Sequence, residues 1–170
     1  VTVISGAVIL TTTIGEELAR LIRDGMNSPL RVAQFGGLER IANAPAWDTL
    51  LPCVFIDPQE ATYAEEGGLD IGNLQPVVTE SYRIVHFFRY SDQDDITAKA
   101  AENVAAILAT LTADAGLSQL WPTIRPNQIS FSEVRGVEWH PEEQAFLTDP
   151  AQRVKVVALR WQVRWYSRAR

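Results

Sequence analysis

The last twenty residues constrain the fold most. They carry six basic residues and no acidic one, and from Arg153 to Tyr166 apolar and polar side chains alternate. Side chains of an extended strand point to opposite faces in turn. Val157, Leu159, Trp161, Val163 and Trp165 therefore line one face, and Arg160, Gln162 and Arg164 the other. The apolar face demands a core beneath it. The basic face demands water, a second chain or a polyanion.

The rest of the chain supplies the elements for that core. Thr13, with Glu16 three residues on, predicts a helix N-cap; Ile14, Leu18, Leu21 and Ile22 follow at helical spacing, and Asp24-Gly25 closes the helix. Residues 1–11 are expected to form an N-terminal arm. Their apolar run has no basic start and is too short to cross a bilayer, so no membrane partner is expected. A shorter helix is expected within residues 31–44, around Leu38 and Ile41. Pro52 to Asp57 predicts a strand ended by Pro58. Residues 59–76, with Gly67-Gly68 and Gly72, predict an extended acidic loop or hairpin tip of the kind that often binds a partner.

Val77 to Tyr90 is apolar on parts of both faces, which predicts an interior strand. Ser91 to Asp95 caps what should be the longest helix, to about Ala113, with Ile96, Ala100, Val104, Ile107, Leu108 and Leu111 as its apolar stripe and Gly116 as its end. Ile129 and Phe131 alternate in phase; the phase shifts at Val134 beside Gly136, the mark of a β-bulge or tight turn. This order predicts a single α+β domain over residues 1–170, with a mixed or mainly antiparallel sheet and two main helices packed against it. A length of 170 residues suits one well-cored domain.

Charge narrows the function. The net charge of −6 argues against a dedicated DNA-binding protein, which gains affinity by neutralising phosphates. Ile41 to Tyr82 contains no Lys or Arg but seven acids: Asp48, Asp57, Glu60, Glu65, Glu66, Asp70 and Glu80. Opposed acidic and basic regions suit contact between subunits, or else a solvated loop and a solvated strand face. Complementary charges favour correct encounter and register more than raw affinity.

Catalytic signatures do not emerge. The sequence has no phosphate-cradling GxxxxGK[ST] loop, HExxH, GxSxG or paired CxxC. Cys53 is the single cysteine and is expected to pack as a small hydrophobe. His86, on an apolar strand face, is expected to be a hydrogen-bonded core residue. His140, followed by Pro141-Glu142-Glu143, offers too few ligands for a structural zinc. No enzyme activity, cofactor or metal is expected. Trp139, Trp161, Trp165 and Tyr166 near arginines superficially match a stacking platform for single-stranded nucleic acid, but the alternation assigns Trp161 and Trp165 to the core.

The chain resembles bacteriophage tail terminator (tail completion) proteins. The likeness runs through the helix Thr13 to Asp24, a strand ending near Pro58, the passage Tyr82-Arg83-Ile84-Val85-His86-Phe87, the Ala-rich helix Ala98 to Leu111, the Phe131 strand and the closing Val-Ala-Leu-Arg-Trp-Gln-Val-Arg-Trp-Tyr. It implies a structural virion protein assembled as a hexameric ring at the head-proximal end of the tail, and in the host cytoplasm before that. Such a ring caps the tail tube protein, joins it to the head–tail connector or stopper protein, and passes DNA through its lumen without sequence recognition. Two other readings stay open: another neck or head-completion component, or a small-molecule-binding or enzymatic α+β domain using the acidic loop and His140. For the ring, Glu65, Glu66 and Asp70 are expected to approach Arg160 or Arg164 of a neighbouring subunit, and residues 59–76 to touch the tube or the neighbour.

Overall fold

A computed structural model describes residues 2–26, 29–40, 47–66, 75–114, 117, 129–139 and 153–166. Five strands form one mixed sheet: β1 (Val32–Phe35), β2 (Cys53–Glu66), β3 (Gln75–Arg89), β4 (Ile129–Glu138) and β5 (Val154–Tyr166), in the spatial order β1-β2-β3-β5-β4. Only the β1–β2 pair is parallel; the others are antiparallel. Two helices, α1 (Thr2–Gly25) and α2 (Ile96–Thr112), pack on one face. The expected single α+β arrangement is therefore present.

The helix-covered face holds the larger core. Val54 and Ile56 of β2, Tyr82, Ile84 and Phe88 of β3, and Val157, Leu159, Trp161 and Val163 of β5 are buried there against Ile14, Leu18 and Ile22 of α1 and Ala100, Val104, Ile107 and Leu111 of α2. The closing strand thus buries its predicted apolar side, with Trp161 fully enclosed. A second buried cluster occupies part of the opposite face. Phe55 and Phe87 meet edge to face there, ring centroids 6.5 Å apart, among Cys53, Val85, Val156 and Ala158. Both faces of β3 are buried over this half, as an interior strand requires.

Several boundaries differ from the sequence reading. α1 begins at Thr2, so Thr13 is a mid-helix residue and residues 2–11, expected as an arm, are helical. The T-x-x-E pattern is a cap only where the periodic stripe starts, and here Ile4, Ala7, Thr11 and Ile14 extend the stripe backwards at helical spacing. The Thr11 hydroxyl donates to Glu80, whose Oε2 lies 2.7 Å from the Tyr82 hydroxyl. Glu80 is only 3% exposed, so these bonds satisfy a carboxylate that would otherwise be costly to bury. Burial first, then the Glu80 charge and hydrogen bond, hold the Tyr82 phenol well above its usual pKa. At 24 residues, α1 is also longer than the 17-residue α2.

The helix expected around Leu38 and Ile41 is present at Glu39 and Arg40, with residues 41–46 outside the described residues, but the start of that stretch, Val32–Phe35, forms β1. Its β-branched and aromatic residues favour a strand, and Gly36 and Gly37 end it at φ +73° and +81°, a region that glycine enters without strain. Residues 36–52 then supply the long crossover that a parallel partner needs. Pro58 does not end β2; the strand continues through a bulge between Pro58 and Glu60. No described strand pairs with β2 on that side beyond Ile56, and an unpaired edge tolerates the missing N–H of proline. Hence residues 59–66 and 75–76 are strand, not loop, and the remaining tip 67–74 lies outside the described residues. The register does shift between Val134 and Gly136, as the phase change predicts. α2 is capped by Asp95, which accepts from the Ala98 N–H at 3.1 Å, and it ends at Thr112, ahead of Gly116.

Candidate functional surface

Beyond the second apolar cluster, the face opposite the helices turns polar. Strand alternation and register bring Asp57, Arg83 and Arg160 into one row across β2, β3 and β5, with Gly136 of β4 beside Arg160. Arg83 and Arg160 are directly opposed, an arrangement that like charges make unfavourable. Glu138 resolves the conflict. Its Oε2 accepts from Arg83 and its Oε1 from Arg160, both at 2.8 Å.

Burial alone would raise the Glu138 pKa, but the hydrogen bonds and charges of the two arginines outweigh it and hold the carboxyl below its usual range. Asp57 behaves in the opposite sense: burial raises its pKa, Glu39 adds to the rise, and Arg83 opposes it. Ser81, Gln162, Thr79 and Arg164 continue the polar surface, all half-buried. No helix is needed over such a surface, since its polar groups meet water or a partner directly.

Of the five residues expected at a subunit contact, Arg160 and Arg164 share this face, and Arg160 is 66% exposed although Glu138 holds it. Glu65 and Glu66 end β2, in register with Pro76 and Gln75. Within one chain the sheet does not bring them to Arg160 or Arg164: β3 lies between the strands, and Arg160 is level with Asp57, well down β2. Asp70 lies outside the described residues, as does His140. Beyond Ile56 no described strand pairs with the outer edge of β2, and its residues from Pro58 to Thr62, Glu60 among them, are exposed one strand away from the arginine-bearing face of β5.

The sequence reading missed Glu138 as the partner of Arg83 and Arg160. The signal was partial: alternation places Arg83 and Arg160 on one side of their strands, but only the register sets them opposite each other. Cys53 is buried as expected, and desolvation pushes its thiol up to about 12. His86 needs correction. It is buried, at 2% exposure, but no described group hydrogen-bonds either ring nitrogen, and burial lowers its pKa to about 4.

Among the described residues no three His, Cys, Asp or Glu side chains converge as metal ligands do, and no helix is long and apolar enough to cross a membrane. No known family model matches the sequence, and no curated protein is significantly similar to it.

Proposed function

We propose that the chain is a structural subunit of a bacteriophage head–tail joint, of the tail terminator type, which closes into a ring on the tail tube. One observation carries the reading: the outer strand segment of β2, exposed from Pro58 to Thr62 with Glu60 in it and running on to Glu65 and Glu66, and the arginine-bearing face of β5 lie on the same subunit, separated by β3. Two unlike, complementary patches are what a head-to-tail contact needs, and such contacts close into rings when the rotation permits. The element order, with a helix before each antiparallel pair, is the order that the family resemblance implies. A net charge of −6 suits a lumen that must let DNA pass without holding phosphates.

In this reading Glu65 and Glu66, with Asp70 beyond them, meet Arg164 and the exposed side of Arg160 on the neighbour. The ring contacts the tail tube protein on one side and the connector or stopper on the other. The test is a charge swap followed by native mass spectrometry across protein concentration and salt. A hexamer that weakens as salt rises is expected for the unaltered protein. Arg164→Glu, or Glu65→Lys with Glu66→Lys, should each abolish it, and combining the two sets should restore it. Arg164 is the better target because reversing Arg160 would also break the Glu138 clamp. Rings indifferent to salt and to both reversals would refute the contact. If the free protein stays monomeric, addition of tail tube protein must produce capped tubes; uncapped growth would refute the function itself.

A further inference from the structure

Arg160 is held from one side only. Its Nε donates to Glu138 Oε1 at 2.8 Å, and its terminal nitrogens donate to no described group. With 66% of the side chain exposed, those nitrogens form an outward fork, a geometry that receives a carboxylate through two parallel hydrogen bonds. Glu138 belongs to β4, so the bond draws Arg160 sideways, from β5 towards the outer strand of the sheet. The residue of β4 directly beside Arg160 is Gly136. It has no side chain, and even a Cβ there would meet nothing within 4 Å. Adjacent strands lie about 4.8 Å apart, less than the length of an arginine side chain, so the guanidinium can cross β4 at this gap.

The outer edge of β2 offers a matching carboxylate. Glu60 is exposed, shares the face of Arg160 through its pairing with Ser81, and bonds no described group. It also stands at nearly the same height. Asp57, Arg83 and Arg160 form one row across the sheet, and Glu60, Ser81 and Gln162 form the next. Rotation about an axis along the strands leaves such heights unchanged, so a second copy set edge to edge brings its Glu60 within one row of Arg160. Backbone pairing is not the basis of this contact, because Pro58 lacks an N–H and the bulge beside it interrupts the ladder. Side chains have to carry it. We propose that Glu60 of one copy enters the terminal fork of Arg160 on the next, with Glu138 positioning the fork and Gly136 leaving its path open. The inference rests on the ring reading and adds a named pair to the contact through Arg164.

Glu60→Gln removes a charge that has no described partner, so thermal unfolding of the subunit should not change. In native mass spectra it should raise the protein concentration at half-assembly by at least about tenfold, the equivalent of one charged hydrogen bond per contact. If rings form only on the tail tube, the same shift is read as the concentration that caps tubes. Gly136→Leu, which closes the gap without a left-handed backbone to strain it, should weaken assembly similarly. Glu60→Gln should cost nothing further once Arg160→Gln is present, and less once Glu138→Gln is present. Each comparison stays within one background, so altered fold stability cancels. Rings that respond to reversal of Arg164 but not to Glu60→Gln would overturn this contact and leave the ring reading standing. So would a Glu60→Gln cost that persists undiminished after Arg160 is replaced. Unaltered assembly in Gly136→Leu would overturn the path over β4, and a full cost beside Glu138→Gln the positioning role. Absence of rings, both free and on tail tubes, would overturn the contact together with the ring reading.

Discussion

Burial of His86 in a neutral state ties the stability of the protein to pH. In the unfolded chain its pKa is near 6.5, and in the native chain it is about 4. Between these values the unfolded state binds a proton that the native state refuses, so acidification favours unfolding and stability falls as pH drops. The loss begins below about pH 6.5 and levels off below about pH 4, where it amounts to about 3 kcal/mol. Measurement near the isoelectric point of about 4.9 invites precipitation, so the useful span is from about pH 7.5 to about pH 5.5, over which this histidine alone should cost about 1 kcal/mol. Urea unfolding of the unaltered protein and of His86→Leu at the two pH values isolates the effect, because every other titrating group, His140 included, is common to both. The difference in stability between variant and parent should grow in favour of the variant by about 1 kcal/mol on acidification. An identical pH response in both proteins would refute the reasoning, and would mean that His86 accepts its proton in the folded state as readily as in the unfolded one.

Three further outcomes follow from the packing. Glu138→Gln keeps the shape of the clamp but removes the charge that bridges Arg83 and Arg160; urea unfolding at neutral pH should show a loss of about 1–2 kcal/mol, set between exposed and buried pairs. Because the Glu138 pKa is depressed in the fold, that loss should shrink as pH falls through the carboxylate range, where the parent also loses the charge. Gly15→Ala should destabilise although alanine is the better helix former, because the added Cβ overlaps the Phe35 ring; overpacking costs about 1–3 kcal/mol against a gain of about 1, and Phe35→Leu should relieve it in thermal unfolding. Cys53, with its thiol held up to about 12 by burial, should resist alkylation at mildly alkaline pH and react only as urea unfolds the protein.

What could be read from the sequence divides along a physical line. Val157 to Val163 and the α2 stripe were legible because burial of one face imposes a period that no other arrangement explains. The start of α1 was not: a T-x-x-E motif inside a continuing stripe is identical, residue for residue, to one at its beginning. β1 was hidden because four residues are too few to show a period, and its partner β2 comes only after the 36–52 crossover. Pro58 misled for a related reason, since a proline ends an interior strand but not one whose N–H side has no strand beside it. The Glu138 clamp depends on three strands in register, a relation held by no stretch of sequence. The state of His86 depends on the elements packed over β3, and an apolar strand pattern cannot tell a satisfied histidine from an unsatisfied one.

The strand order also governs how the molecule can be made. β2 and β3 form a local pair, but β3 reaches its second partner only when residues 154–166 arrive, and β4 lies on the far side of that strand. β5 is therefore a keystone inserted between two strands synthesised before it. Until it is in place, β3 presents an unpaired edge and β4 has no strand to join, while α1 and α2 are already available to collapse on the apolar side of the β2–β3 hairpin. Distant pairing of this kind closes large loops before it gains contacts, which slows folding and prolongs the life of open edges. β5 sets the pace: the nascent chain is most vulnerable to wrong pairing just before β5 appears.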